Sequence, residues 1–204
     1  MSATGGAVLP RQARRSRSWG RVAGLILIGA GLVMVLYWAS DFAAAGLRER
    51  SDEARWAQLL AGGQGSGDPA ALARPVDGID FRLQVPKLGY TAIVREGVGL
   101  DVLAAGPGHY PTSAWPGHQG NVGVAAHNVN WIQFSELKPG DDLVLQTRYG
   151  TFRYRMTGSR IVTPDDTTVL RSLPDRQLTL TTCWPLWAGQ FATRRLVVFA
   201  RASG

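Results

Sequence analysis

The chain contains one cysteine, Cys183, and three histidines, His109, His118 and His127. Thiol and imidazole are the side chains best suited to nucleophilic and acid/base chemistry near neutral pH. A single cysteine rules out a disulfide within the chain and a cysteine-rich zinc site. It leaves two readings, a small buried core residue, which the count alone favours, or a nucleophile. Its position supports the second. Cys183 ends the run QLTLTTC (177–183), and Trp184-Pro185 follows and stops a strand. Thr179 and Thr181 share its alternation phase, while Leu178, Leu180 and Thr182 share the other. The thiol therefore points away from the core that Leu178 and Leu180 enter. His127 is placed in the same way, ending NVGVAA (121–126) and preceding Asn128. A strand-to-loop junction holds a side chain on firm backbone at the edge of a cleft. Arg195 opens the apolar run LVVFA (196–200), twelve residues after the cysteine. If those two strands are neighbours, its guanidinium lies beside the thiol. There it would favour the thiolate and donate hydrogen bonds to a developing oxyanion. Arg194 faces the opposite side of the same strand, and periodicity does not choose between the two arginines. His109 and His118 lie in GPGHYPTSAWPGHQG (106–120), which reads as a loop. Both are expected to be surface or turn histidines.

These side chains need a scaffold, and the sequence offers short apolar segments separated by turn residues. Seven segments read as strands: 81–86, 91–97, 121–127, 142–150, 151–162, 177–183 and 195–202, with a turn at Tyr149-Gly150. Residues 100–106, 134–141 and 166–173 read as short helical turns or loops. About seven short strands with few long helices indicate a closed β-barrel or a sandwich. Hydrophobic residues make up 45% of the chain and charged residues 18%, enough apolar content for a sizeable core.

Ahead of that domain, residues 22–39 are an uninterrupted run of uncharged, mostly apolar residues. At 1.5 Å per residue such a run spans most of a hydrocarbon core about 30 Å thick. Five arginines (Arg11, Arg14, Arg15, Arg17 and Arg21) precede it without an acidic companion, and Tyr37 and Trp38 stand at its far end. The positive-inside rule then keeps residues 1–21 cytoplasmic and exports the rest. The competing reading is a signal peptide cut near Ala43-Ala44-Ala45, but the run is longer than the usual apolar region of such a peptide. Residues 41–61 read as a helix with Trp56, Leu59 and Leu60 on one face, either a stalk or a helix packed on the domain. Residues 62–78 read as a flexible linker. The expected organisation is a basic arm (1–21), a transmembrane anchor (22–39), a stalk and linker (40–78) and a catalytic domain (79–204). The formal net charge of +7 resides mostly in the arm, since removing those five arginines leaves seventeen basic against fifteen acidic residues. A nucleic-acid binder would carry its charge on the folded domain. No nucleic-acid partner is expected.

Thr179-Leu180-Thr181-Thr182-Cys183 resembles the TLxTC signature of sortases. Further segments resemble the same family: Val85-Pro86-Lys87-Leu88-Gly89, Pro107-Gly108-His109-Tyr110-Pro111, residues 134–141, and Arg195-Leu196-Val197-Val198, with His127 lying 56 residues before the cysteine. The family often has Gly-His-Arg around its histidine, whereas this chain has Ala126-His127-Asn128. The segment between Cys183 and Arg195 is most similar to class D and E sortases. The resemblance implies an all-β fold, an eight-stranded closed β-barrel with short helices behind one N-terminal transmembrane helix. It implies a cysteine transpeptidase with Cys183 as nucleophile, His127 as acid/base and Arg195 as the charge steadying the carbonyl. Thr181, Thr182, Trp184 and Trp187 are the expected substrate contacts. The implied substrates are exported proteins bearing an LPxTG-like C-terminal sorting signal, cut through a thioester and joined to an amine of a cell-wall precursor or a pilin lysine. No cofactor or metal is expected. Two other readings remain open at this point: a cysteine peptidase with the same triad that releases product to water, and a non-catalytic anchored β-domain. An L,D-transpeptidase-like enzyme would need His and a Gly-rich stretch just before the cysteine, which LTLTTC lacks.

Overall fold

The computed structural model describes residues 16–62 and 68–203. Most of the basic arm, including Arg11, Arg14 and Arg15, and the linker residues 63–67 lie outside the described residues. The chain divides into two compact units, residues 1–46 and residues 47–204. The helix α1 (Ser16–Ala61) contributes to both. In the first unit, Trp19–Ser40 has a mean hydropathy of 2.3, and none of it is buried.

The second unit is built on eight strands: β1 (Ile79–Val85), β2 (Tyr90–Glu96), β3 (Gly108–His109), β4 (Gly120–Ala126), β5 (Asp142–Thr147), β6 (Gly150–Val162), β7 (Arg176–Trp184) and β8 (Arg194–Ala202). They close into a barrel in the order β1-β2-β3-β4-β7-β8-β6-β5. β2 with β3 and β4 with β7 run parallel, and the other pairs are antiparallel. Period-2 alternation fills the interior. Leu178 and Leu180 of β7 meet Phe81 and Leu83 of β1, Val122 and Val124 of β4, and Leu143 and Leu145 of β5 in one core. β4 is buried at every position, and β7 from Leu178 to Thr182. Both strands are thus covered on two faces, as the Val- and Leu-rich runs of paired parallel strands require. The hairpin register Thr147↔Gly150 makes Arg148-Tyr149 the two-residue loop, one position earlier than expected.

The eighth strand is β3, inside the segment expected to be a loop. Its two residues bridge β2 (Arg95↔Gly108) and β4 (His109↔Val124) and so complete the barrel. His109 is accordingly no surface histidine. It is buried, with Nδ1 2.7 Å from Asp80 Oδ2 and Nε2 3.1 Å from the carbonyl oxygen of Ala114. His118 is half-buried, its ring tilted against Tyr149.

Between the two options for residues 47–61, the structure has a helix packed on the barrel. Trp56 is fully buried against Ile79 and Ile93, flanked by Leu59 and Leu60. Asp52 accepts two-pronged bonds from Arg95, Glu53 pairs with Arg82 at 3.2 Å, and Arg55 pairs with Asp77. These residues recur at helical spacing on one side, which explains why the charges as well as the apolar residues of this stretch are used. The described part of the expected flexible linker also differs from that reading. Asp68 caps the short helix α2 (Pro69–Leu72), and Arg148 donates to the carbonyls of Leu72 and Arg74, which ties the segment down.

Candidate active site

β7 lies between β4 and β8, and the three strands bring the candidate residues to one end of the barrel. On the antiparallel side, Cys183 is the direct partner of Arg195. Directly opposed residues project on the same face, and the guanidinium Nη1 donates to Cys183 Sγ at 2.9 Å. On the parallel side, the last pair is Ala126↔Thr182. His127 and Cys183 are the next residues in each chain, so the imidazole and the thiol both follow directly from the last paired position of β4 and β7. All three residues are half-buried. The thiol is neither sealed in the core nor out on a loose loop. It stands on the outer face with Thr179 and Thr181, opposite the face of Leu178 and Leu180, as the alternation predicted.

The electrostatics of the cluster follow from what is missing around it. Among the described residues, Arg195 has no carboxylate partner, and the His127 imidazole has neither a hydrogen-bond nor an ion-pair partner. The guanidinium is therefore directed at the sulfur. Arg194 is exposed on the alternate face of β8, paired in register with Trp184.

Around this cluster, two 3-10 helices form the rim. Asn128–Glu136 follows His127, and Leu186–Phe191 lies within the connection from Cys183 to Arg195. Trp187 and Phe191 are 85% and 78% exposed, and Val129 and Ile132 of the other helix are also exposed. An apolar lip of this kind, beside a polar cluster, suits a short peptide with bulky apolar residues. Trp184 is half-buried at the end of β7, preceding a cis peptide bond to Pro185. The rim carries Trp187, whereas Trp184, paired with Arg194, lies on the face of β7 opposite Cys183, and the hydroxyls of Thr181 and Thr182 are not presented there. Thr181 is buried, sharing a 3.1 Å bond with the Tyr110 hydroxyl, and Thr182 is buried, donating to Ala126 O at 2.8 Å. Their hydroxyls hold β7 to its surroundings and are not presented to a ligand. Tyr110, which laps the outer face of the sheet through that bond, carries no signal in the sequence beyond following His109. Among the described residues no group of His, Cys, Asp or Glu could hold a metal ion.

Residues 83–203, more than half of the chain, match the model of the sortase domain. This chain belongs to the sortase family. Sortase D of Bacillus subtilis is 30% identical over 193 residues, covering 89% of this chain and 98% of that protein. The structure of sortase E from Streptomyces avermitilis is 32% identical with a TM-score of 0.57, over 64% of this chain and 91% of that one. Sortase E1 of Streptomyces coelicolor, solved with a tripeptide in its active site, is 26% identical with a TM-score of 0.55, over 62% and 88%. The eight-stranded barrel described above is thus a sortase barrel, and the chain is a cysteine transpeptidase of the class D and E kind. Sortases act on proteins that carry sorting signals and transfer them to amines. They are membrane-anchored enzymes, and α1 of this one contains a segment long and apolar enough to cross a membrane.

Proposed function

We propose that this sortase works through Cys183, His127 and Arg195 on an LPxTG-like C-terminal sorting signal. The observation that carries the reading is the 2.9 Å donation from Arg195 to the Cys183 sulfur, with His127 following directly on the neighbouring strand. The Cys183 thiolate attacks the scissile carbonyl carbon, forming a C–S bond and a tetrahedral oxyanion. Arg195 and nearby backbone N–H groups stabilise that oxyanion, one such donor being typically worth about 3 kcal/mol. The C–N bond breaks as the His127 imidazolium gives its proton to the leaving amine. A thioester remains. An incoming amine then attacks the thioester and loses its proton to His127, and the C–S bond breaks to release the Cys183 thiolate. In this reading Trp187 meets the apolar residues of the signal, Trp184 borders the site from the end of β7, and Thr181 and Thr182 shape the wall behind it.

The acceptor in this reading is an amine of a cell-wall precursor or a pilin lysine. Residues 1–21 stay in the cytoplasm, residues 22–39 cross the membrane once, residues 40–78 connect, and residues 79–204 form the extracellular catalytic domain. The test is incubation of the enzyme with a library of LPxTG-like peptides, with and without diglycine, followed by mass spectrometry. An acyl adduct on Cys183 and a diglycine-ligated product are expected. Hydrolysed peptide alone, unchanged by diglycine, would replace transfer to an amine by release to water.

Arg195→Ala is expected to slow thioester formation by at least about 100-fold, and His127→Ala likewise. Arg194→Ala, whose side chain lies on the other face, is expected to stay near the parent rate. Single-turnover acylation measures all three. The reverse ranking of the two arginines would move the oxyanion role to Arg194.

A further inference from the structure

The residue after His127 is polar yet buried, and its carboxamide is fully used. Asn128 Oδ1 accepts from the Val129 N–H at 3.1 Å, and Nδ2 donates to Gly189 O at 3.2 Å and, at a longer 3.4 Å, to Pro185 O. Both accepting carbonyls belong to the Cys183–Arg195 connection, one two residues beyond the thiol and the other in its middle. The backbone ladder between β4 and β7 ends at Ala126↔Thr182, one position short of the imidazole and the sulfur. Beyond that pair the two chains part into separate 3-10 helices. Among the described residues, the Asn128 carboxamide supplies the only hydrogen bonds between residues 127–136 and 184–193. Gly189 holds φ 54° and ψ −128°, a conformation that side-chain-bearing residues rarely adopt, and its carbonyl is one of the two that accept from Asn128. A buried amide left without these partners would be costly, so the arrangement holds both segments together or neither.

We infer that Asn128 is a positioning residue for the transpeptidation: its carboxamide clamps the Cys183–Arg195 connection to the end of β4 and so fixes the spacing of His127 from Cys183. The inference rests on the roles given above to those two residues. It explains why this chain keeps a short carboxamide after the histidine. Aspartate there has the same shape but no donors, and leucine offers neither the donors nor the acceptor. Displacement of a reacting group by about 1 Å can cost on the order of 100-fold in rate.

Asn128→Asp tests it. The variant keeps an acceptor for the Val129 N–H and sets a carboxylate against two carbonyl oxygens. In the full chain in detergent, with an LPxTG-type peptide and diglycine, kcat should fall about 10- to 100-fold while KM changes less than about 3-fold. Amide hydrogen exchange over residues 185–191 should accelerate. The rate of Cys183 alkylation by iodoacetamide should change its dependence on pH, because the imidazole is no longer held at one distance from the sulfur. Should Asn128→Asp not fold, Gly189→Ala loosens the same contact from the other side, at a position with open space around it, and the same readouts apply. Unchanged kcat and unchanged exchange in a folded variant would overturn the clamp. So would a loss of activity that tracks only the loss of folded protein, with the alkylation profile intact. A Cys183→Ala enzyme that still turned over would remove the underlying assignment instead, and the exchange measurement would still report on the clamp by itself.

Discussion

Cys183→Ala will fold as the parent does and will form no thioester. The sulfur stands at the end of β7 on the outer face, outside the core cluster that holds Leu178 and Leu180. Removing it opens no cavity among the packed residues. Among the described residues its one hydrogen-bond partner is Arg195, which is half-buried and can turn its N–H to water. The stability change should therefore stay within about 1 kcal/mol, as for substitutions outside cores and networks. Chemistry has no such substitute, because no other thiol exists in the chain. Cys183→Ser separates geometry from nucleophilicity. Its hydroxyl can still accept from Arg195, yet an alcohol gives up its proton far less readily than a thiol, so this variant too should be silent. Urea titration read beside mass spectrometry of peptide-treated enzyme checks both halves. Product from Cys183→Ala at more than a trace would falsify the assignment. A variant that fails to fold would contradict the placement of the thiol at the rim.

Most of this site was legible because alternation is a rigid rule. Once 177–183 reads as a strand, the phase of Cys183 against Leu178 and Leu180 follows, and the structure has that phase. The pairing of β7 with both β4 and β8 was not legible, since strand order is set by closure of the barrel and not by any one strand. The resemblance to sortases, rather than periodicity, pointed to Arg195 over Arg194. The Cys183↔Arg195 register now gives that choice a geometric reason. Thr181 and Thr182 were misplaced for a related cause. Their types suit substrate contact, but the Thr181 hydroxyl is held by Tyr110 on the covered outer face of β7, and the Thr182 hydroxyl donates to Ala126 O of β4. Asn128 could be noticed only as a departure from Gly-His-Arg, because its partners lie 57 and 61 residues away. The largest miss was β3. Two residues carry no alternation, and the Gly and Pro around them are turn signals. Gly108 is nonetheless required as a strand residue, since a Cβ there would lie 2.0 Å from the carbonyl oxygen of Gly97. Close approach of backbones, invisible in a propensity, decides that position.

That same short strand yields the second large effect. His109→Ala should destabilise the fold by about 3–5 kcal/mol, the usual cost of stripping one partner from a buried charged pair. The geometry fixes the protons. Nε2 faces a carbonyl, which only accepts, so Nε2 carries a hydrogen. Nδ1 and Asp80 Oδ2, 2.7 Å apart, then share one more proton between imidazole and carboxylate, and the pair is neutral as a whole. Its surroundings are apolar: the ring sits edge-on to Phe81 at 5.1 Å and to Trp115 at 5.4 Å. Alanine would leave the Asp80 carboxylate buried without its partner, its second oxygen already unmatched, and a void between the two aromatic rings. Asp80→Asn should cost much less, about 1 kcal/mol, because the amide can donate to Nδ1 of a neutral imidazole in the same place. Urea unfolding of the full chain in detergent distinguishes the two. Equal losses from both variants would mean that the aspartate charge itself, and not the shared proton, holds the pair. A loss below about 1 kcal/mol from His109→Ala would mean that β3 closes the barrel through its backbone alone. Because β3 is the only strand linking β2 to β4, and β4 leads into His127, the cost at His109 should also appear as lost activity at temperatures where the parent sortase still works.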